Sequence, residues 1–314
     1  MNRVEVKEKI VSSRPFQLSK STLKFFIWPI TVITAIFAFR FYKFIHTHLR
    51  PPKVSVDKTP QDFGLDYEEV VFRAETPMKI SGWFIPAREK PLIGKPPTII
   101  FCHGWPANRL EVLNRVEILP PRYNFFLFDF RALGESAGPF SSFGFSEQQD
   151  LIAAIEYLKT RQDVDSNKLG LFGFSMGGAV SLMVANKFPE IKAIVVESPY
   201  AKSDAIIQSV FGKKSAWSYL MVNLAVLLAH LLVRIDSRKI SPLEAVKQIN
   251  VPLFIIHGRD DAQIPFGQSQ MIFEAANEPK FLWAPSGSGH GQVINDYRLE
   301  YKERIGEFFG KYLL

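Results

Sequence analysis

The chain has 314 residues, of which 47% are hydrophobic, and a formal net charge of +7. This length and apolar content suffice for one large α/β domain with an appendage. A single cysteine excludes an internal disulfide framework and a cysteine-rich metal site. Much of the positive charge lies near the N-terminus without a basic and aromatic repeat, which favours contact with an anionic membrane surface over nucleic-acid binding.

The N-terminal part predicts a polar segment followed by a membrane anchor. Residues 1–20 are charged, and residues 25–39 form an uncharged apolar run between Lys24 and Arg40. The run is slightly shorter than the roughly 20 residues of a spanning helix, but neighbouring aromatic residues extend it. We therefore predict a single-pass anchor helix over residues 21–45, with a helix lying on the membrane surface as the alternative. Positive charge is similar on both flanks and does not set the orientation of the rest of the chain.

The next segment predicts a linker and then the start of a globular domain. Residues 46–63 contain three prolines, which break a helix and stiffen the chain. Globular patterning fills residues 64–314 and begins with a hairpin of two alternating segments, 67–75 and 78–86. Continuous apolar runs then predict strands that are buried on both faces of a parallel sheet. These runs are Thr98–Phe101, Asn124–Phe128, Leu169–Phe172, Ala193–Val196, Leu253–Ile256 and Phe281–Ala284.

Helical patterns alternate with these runs, for example at residues 147–159 and 176–188. The alternation predicts an α/β fold, with an eight-stranded, mostly parallel sheet and helices on both faces. Residues 200–249 interrupt it and include the apolar stretch 217–233. A second membrane span here would place the strands before and after it on opposite sides of the membrane. We predict a helical lid insertion instead, with a core helix or a membrane-contacting element as alternatives.

The most informative motif is Gly-x-Ser-x-Gly at residues 173–177, which follows an apolar strand and precedes a helical run. Its two glycines remove side chains where a tight strand-to-helix turn would otherwise clash. Such a turn holds one residue in a strained backbone conformation and pushes its side chain into a cleft. That residue is Ser175, the predicted nucleophile. A serine hydroxyl needs a base, an acid that orients the base, and donors for the oxyanion.

The later sequence supplies a candidate base and a candidate acid for this serine. His290 lies in a Ser-Gly-His-Gly loop after the last predicted strand and is the predicted base. Asp261, within residues 257–265, is the predicted acid. Its neighbour Asp260 and Glu197, which follows the sixth strand, are the alternatives.

Four motifs in a consistent order resemble the α/β-hydrolase family, in the branch of serine esterases, lysophospholipases and monoacylglycerol-lipase-like enzymes. The resemblance covers about residues 67–314. Its motifs are the serine motif, the turn His103-Gly104-Trp105-Pro106, the acid segment 257–265 and the Ser-Gly-His-Gly loop. The spacing to Ile264-Pro265 in the family's acid motif favours Asp261.

The resemblance implies a set of catalytic roles. Ser175 would attack a carbonyl carbon, His290 would accept and later return its proton, and Asp261 would fix the imidazole tautomer. Backbone N–H groups of Trp105 and Met176 would bind the oxyanion. No metal or cofactor is implied, and the phosphate-loop and dinucleotide patterns do not occur in the sequence.

Other conspicuous residues are predicted to be structural. Residues 129–136 resemble the family's Asp-x-Arg-Gly-x-Gly-x-Ser loop, with Ala132 in place of the first glycine. His103 and His257 precede glycines at strand ends. Cys102 adjoins His103, but neighbouring strand residues point to opposite faces, so it is predicted to be a core thiol.

The sequence therefore predicts a membrane-anchored serine hydrolase that cleaves carboxylic esters, with lipid-like or acyl substrates favoured by the anchor and the apolar insertion. A thioesterase or an acylpeptide hydrolase would use the same tetrahedral intermediate. No propeller domain precedes the catalytic region, which argues against the oligopeptidase-type branch. The alternative from another class is a catalytically silent, membrane-associated scaffold. The expected partners are an ester or lipid and the membrane; oligomeric state is left open.

Overall fold

A computed structural model describes residues 49–74, 78–203 and 239–314 continuously, with separate residues between 28 and 43 and between 205 and 236. The chain divides into two compact units, Met1–Phe44 and Ile45–Leu314. The described residues of the smaller unit are helical. Among the described residues, no helix combines the length and the apolar character needed to cross a membrane. The predicted anchor helix of residues 21–45 lies partly outside them and stays a prediction.

An eight-stranded sheet forms the centre of the larger unit. Its strands are β1 (Glu68–Arg73), β2 (Lys79–Ile85), β3 (Thr98–Cys102), β4 (Asn124–Phe128), β5 (Leu169–Phe174), β6 (Ile191–Glu197), β7 (Leu253–Ile256) and β8 (Lys280–Trp283). Their spatial order is β1-β2-β4-β3-β5-β6-β7-β8. The β1–β2 hairpin and the β2–β4 pair are antiparallel, and the other neighbouring pairs are parallel. The predicted fold class is confirmed.

Helices cover both faces of this sheet. They are α1 (Leu113–Val116), α2 (Glu147–Thr160), α3 (Met176–Ala185), α4 (Pro242–Val246), α5 (Gly267–Ala275), α6 (Val293–Asp296) and α7 (Arg298–Tyr312). In β3, Ile100 and Cys102 join the core beneath α2 and α3, whereas Ile99 and Phe101 join the core beneath α1 and α7. This burial on both faces explains the continuous apolar runs in the sequence. Helix α3 ends before the predicted residue 188, which precedes Pro189 and is therefore disfavoured in helical geometry.

The segment predicted as a linker, residues 46–63, belongs to the larger unit and, where it is described, bonds to other residues of that unit. The carbonyl oxygen of Leu49 accepts the N–H of Ser141 at 2.8 Å, and Pro60 is buried at the start of a 3₁₀ helix, Pro60–Phe63. The apolar stretch 217–233 lies mostly outside the described residues. The lid and its two alternatives therefore stay predictions.

Candidate active site

The predicted site residues all follow strands that end at the same edge of the sheet. The last residue of β3, Cys102, lies level with Gly173 of β5. Strands β5, β6, β7 and β8 end level with one another at Phe174, Glu197, Ile256 and Trp283. The turns that carry Trp105, Ser175, Asp261 and His290 therefore meet at the carboxyl edge, where open α/β sheets bind their ligands.

Ser175 lies between β5 and α3 with φ 51° and ψ −114°, in a region that costs a non-glycine residue strain. Its N–H donates to the carbonyl oxygen of Glu197 at 2.8 Å, and its carbonyl oxygen accepts the N–H of Ala179 at 3.1 Å. A Cβ atom at Gly177 would overlap the carbonyl oxygen of Cys102, so only glycine fits the turn. Ser175 is 5% exposed.

The structure brings Ser175, His290 and Asp261 into one hydrogen-bonded chain. Nε2 of His290 lies 3.1 Å from Oγ of Ser175, and Nδ1 lies 2.7 Å from Oδ2 of Asp261. Because a carboxylate can only accept, Nδ1 carries the proton and Nε2 is left to accept one from the hydroxyl. The other carboxylate oxygen, Oδ1, accepts the N–H groups of Gln263 at 2.9 Å and Ile264 at 2.8 Å.

These contacts keep Asp261 ionised. Burial acts to raise the pKa of its carboxyl group, but hydrogen bonds from His257, His290 and the Ile264 backbone outweigh burial and lower that pKa well below its usual range. Asp261 is therefore a fixed negative charge beside the imidazole.

The two alternative acids have other partners. The Asp260 carboxylate accepts the N–H of Gly287. Glu197 is fully buried and binds Arg115, with its Oε2 2.9 Å from Nη2. The same oxygen accepts the hydroxyl of Tyr301 at 2.7 Å. Both alternatives are therefore engaged away from His290.

A layer beneath the triad holds residues that the sequence reasoning missed. The Phe174 ring contacts both the guanidinium of Arg115 and the imidazole of His290, each at 5.0 Å from its centroid. A Cβ atom on Gly291, which has φ 67°, would overlap this ring. Burial and the Glu197 carboxylate raise the pKa of Tyr301 well above its usual value, so its hydroxyl stays a donor. No local pattern marks Arg115, which is 82 residues from its partner.

The two predicted oxyanion donors occupy adjacent turns. Met176 is the first residue of α3, where backbone N–H groups are free of intrahelical acceptors. Trp105 follows Gly104, whose N–H donates to Oε2 of Glu111 at 2.7 Å and so fixes the turn after β3. No sequence motif predicted that Glu111 would fix this turn.

His103 and Cys102 lie within the core beside this turn. Nε2 of His103 accepts the N–H of Phe130 at 3.0 Å, and Nδ1 lies 2.7 Å from the carbonyl oxygen of Gly104. Burial lowers the pKa of His103, which favours the neutral ring. Burial raises the pKa of the Cys102 thiol to about 12, which removes its nucleophilic form at neutral pH.

The fold and this site define a serine hydrolase of the α/β-hydrolase fold. The chain belongs to the prolyl oligopeptidase family, whose model matches residues 142–314 and so includes all three members of the hydrogen-bonded chain. This membership corrects the expectation that the chain lies outside the oligopeptidase-type branch. The expectation rested on finding no propeller domain before the catalytic region, whereas the family match covers the catalytic region itself.

One relative and two solved structures illustrate the similarity. The uncharacterized protein YfhR of Escherichia coli K12 is 31% identical over 248 residues, which are 77% of this chain and 80% of that protein. The esterase Pf2001 of Pyrococcus furiosus is a similar solved structure, with a TM-score of 0.69, 27% identity and coverage of 85% of this chain and 100% of that chain. An acylaminoacyl peptidase of Pyrococcus horikoshii shares the fold at a TM-score of 0.62 and 22% identity, over 79% of this chain and 42% of that chain.

Proposed function

We propose that this protein is a membrane-anchored carboxylic ester hydrolase that works through an acyl-serine intermediate. The observation that carries the proposal is the unbroken chain from Ser175 Oγ through His290 to Asp261, at 3.1 Å and 2.7 Å, on a strained turn. A surface histidine and a surface carboxylate would have no reason to meet a buried serine in this order.

The proposed mechanism follows from the hydrogen bonds. Oγ of Ser175 attacks the ester carbonyl carbon while Nε2 of His290 takes its proton, and Asp261 stabilises the imidazolium that forms. The N–H groups of Trp105 and Met176 stabilise the oxyanion; losing one such donor costs about 3–4 kcal/mol. His290 then returns the proton to the leaving alcohol, and the acyl-serine remains. Water, deprotonated by the same imidazole, releases the carboxylic acid and restores Ser175.

An ester substrate is favoured over an acylated peptide by the similarity to the Pf2001 esterase, which spans the whole of that chain. Acylpeptide hydrolysis is the second candidate, because it fits the prolyl oligopeptidase family and uses the same intermediate. Full-length protein should be assayed with p-nitrophenyl esters of increasing chain length and with N-acetyl-aminoacyl p-nitroanilides. Turnover of the esters that Ser175→Ala abolishes would support the first candidate. Preference for the anilides would support the second, and no turnover of either would favour a silent scaffold.

Membrane anchoring and lipid-like substrates are the finer part of the proposal. The apolar run 25–39 supports them, as do the outward positions of Trp28, Ile36 and Phe39 on the described helix residues, each more than half exposed. Apolar side chains in such numbers suit a lipid surrounding better than water.

Membrane fractionation tests the anchor. The full chain should stay in the membrane pellet after carbonate extraction, and a variant without residues 1–44 should move to the supernatant with its esterase activity intact. The cut is placed at residue 44, because Leu49 already bonds to Ser141 within the larger unit. A pellet that retains the shortened protein would assign membrane contact to the larger unit instead.

A further inference from the structure

His257 is a fully buried histidine that the proposed mechanism leaves without a role. It follows β7 directly, and its Nε2 lies 2.8 Å from the carbonyl oxygen of Ile264 and 3.3 Å from Oδ2 of Asp261. Its Nδ1 lies 2.7 Å from Oγ of Ser269, in the first turn of α5. The tautomer with its proton on Nε2 satisfies all three contacts, with the Ser269 hydroxyl as donor to Nδ1.

These contacts close a small ring around the predicted acid. The N–H of Ile264 donates to Oδ1 of Asp261, and the carbonyl oxygen of Ile264 accepts from His257. The same Nε2 lies 3.3 Å from Oδ2, the oxygen that binds His290. His257 therefore holds both the turn that orients the carboxylate and the oxygen that orients the base.

We propose that His257, held by Ser269, is a positioning residue that shares the catalytic oxygen of Asp261 with His290 and so sets how strongly that oxygen favours the protonated base. The inference rests on the proposed function. It extends the chain of contacts to Ser269–His257–Asp261–His290–Ser175, with one carboxylate between two imidazoles. Both outer partners, Ser269 and Ser175, are nearly or fully buried, so water does not compete for these contacts.

The physical consequence concerns the charge on Oδ2. When His257 binds Oδ2, the carboxylate still holds His290 in place but stabilises its protonated form less strongly. The protonated form cannot accept a proton from Ser175, so weaker stabilisation favours the reaction. When the His257 N–H is removed, the whole charge acts on His290, and the protonated form persists to higher pH. In the part of the chain that the structure describes, the imidazole is faced by Asp261, Ser175 and the Phe174 ring, and Arg115 contacts that ring. Of these facing groups, Asp261 is the one that His257 contacts.

A matched pair of variants of the full-length chain tests this role. His257→Gln can place an N–H near the position of Nε2, whereas His257→Met has a similar size and no donor. The kcat and KM for p-nitrophenyl butyrate should be measured across pH, together with the melting temperature. For His257→Met we expect kcat to fall by about tenfold to a hundredfold, the range of a small misplacement of a catalytic group. KM should change little, and the acid limb of the profile should move to higher pH. His257→Gln should restore most of both properties.

Ser269→Ala provides a second variant that keeps the imidazole and removes only its outer partner. It should move kcat and the acid limb in the same direction by a smaller amount, and it decides the matter if His257→Met does not fold. If the role is merely structural, every variant should have a lower melting temperature and an unchanged acid limb of the pH–kcat profile. That outcome would overturn the inference about His257 and leave the proposed function standing. Wild-type protein without turnover or serine labelling would overturn both the inference and the proposed function.

Discussion

Strands β6 and β7 lie side by side, and each leads to a buried carboxylate at the same edge of the sheet. Glu197 ends β6, and its backbone carbonyl oxygen accepts the N–H of Ser175, the nucleophile. Asp261 lies five residues beyond the end of β7 and nevertheless reaches His290. Position at the strand end therefore does not decide which carboxylate serves the base.

The partners of the two carboxylates decide it. Glu197 forms an ion pair with Arg115 and accepts a hydrogen bond from Tyr301, so its charge is compensated within the core. Asp261 has no arginine or lysine among its hydrogen-bonding partners in the described part of the chain, and two backbone N–H groups and two imidazoles surround it instead. A carboxylate held by neutral donors keeps a charge that can stabilise an imidazolium. We infer that Glu197 serves stability and Asp261 serves the reaction.

The largest effect should come from Asp261→Asn. The amide can donate to Nδ1 of His290 and favour the wrong tautomer, so kcat should fall by about 10³–10⁴-fold. Stopped assays with a p-nitrophenyl ester at neutral pH would measure the loss, and circular dichroism would establish that the variant is folded. A loss of less than tenfold would return Glu197 to consideration as the acid.

Glu197→Gln should show the opposite pattern. Removing one partner of a buried ion pair leaves Arg115 uncompensated and costs about 3–5 kcal/mol in the free energy of unfolding. At temperatures where the variant is folded, kcat/KM should stay within about tenfold of the wild type, since the triad is untouched. Urea unfolding provides the measurement. As a control, the double variant Arg115→Met/Glu197→Gln should lose less stability than the sum of the single changes.

The pH dependence of stability should separate the two carboxylates further. The pKa of Asp261 is lowered in the folded state, so its contribution is complete above the ordinary carboxyl range, near pH 4, and is lost as the pH falls further. The difference in unfolding free energy between wild type and Asp261→Asn should be about 1–3 kcal/mol at pH 7, typical of hydrogen bonds to a charged group. Urea unfolding at successive pH values should show this difference shrinking below about pH 4. A constant difference would contradict the lowered pKa.

The smallest effect should come from a change in the loop after β4, at a residue without a bond to either carboxylate. Ala132 has φ 62° where the family's loop has glycine. Ala132→Gly removes the strain of a left-handed residue but frees the unfolded chain, so the net gain in stability should be about 0.5–1 kcal/mol. Thermal unfolding would detect it, with kcat unchanged. A change in kcat comparable to that of Asp261→Asn would mean that the site responds to any nearby perturbation.

The fold and the three hydrogen-bonded residues Ser175, His290 and Asp261 could be predicted from the sequence, because each has a local signature. Apolar runs mark strands that are buried on both faces, and the glycines of residues 173–177 mark the strained turn. The partner of Glu197 could not be predicted in this way, because Arg115 comes from a short helix far away in the sequence. Ser269 beside His257 is likewise set by how α5 packs on the sheet.

Labelling with a fluorophosphonate probe tests the central claim most directly, because only an activated serine displaces fluoride from the probe at a useful rate. Full-length wild type, Ser175→Ala, His290→Ala, Asp261→Asn and Glu197→Gln should be labelled in parallel, and the modified residue identified by peptide mass spectrometry. We expect a phosphonyl adduct on Ser175 in wild type and in Glu197→Gln, no adduct in Ser175→Ala, and much slower labelling in the other two variants. Labelling of another residue, or equal rates in wild type and Asp261→Asn, would contradict the account.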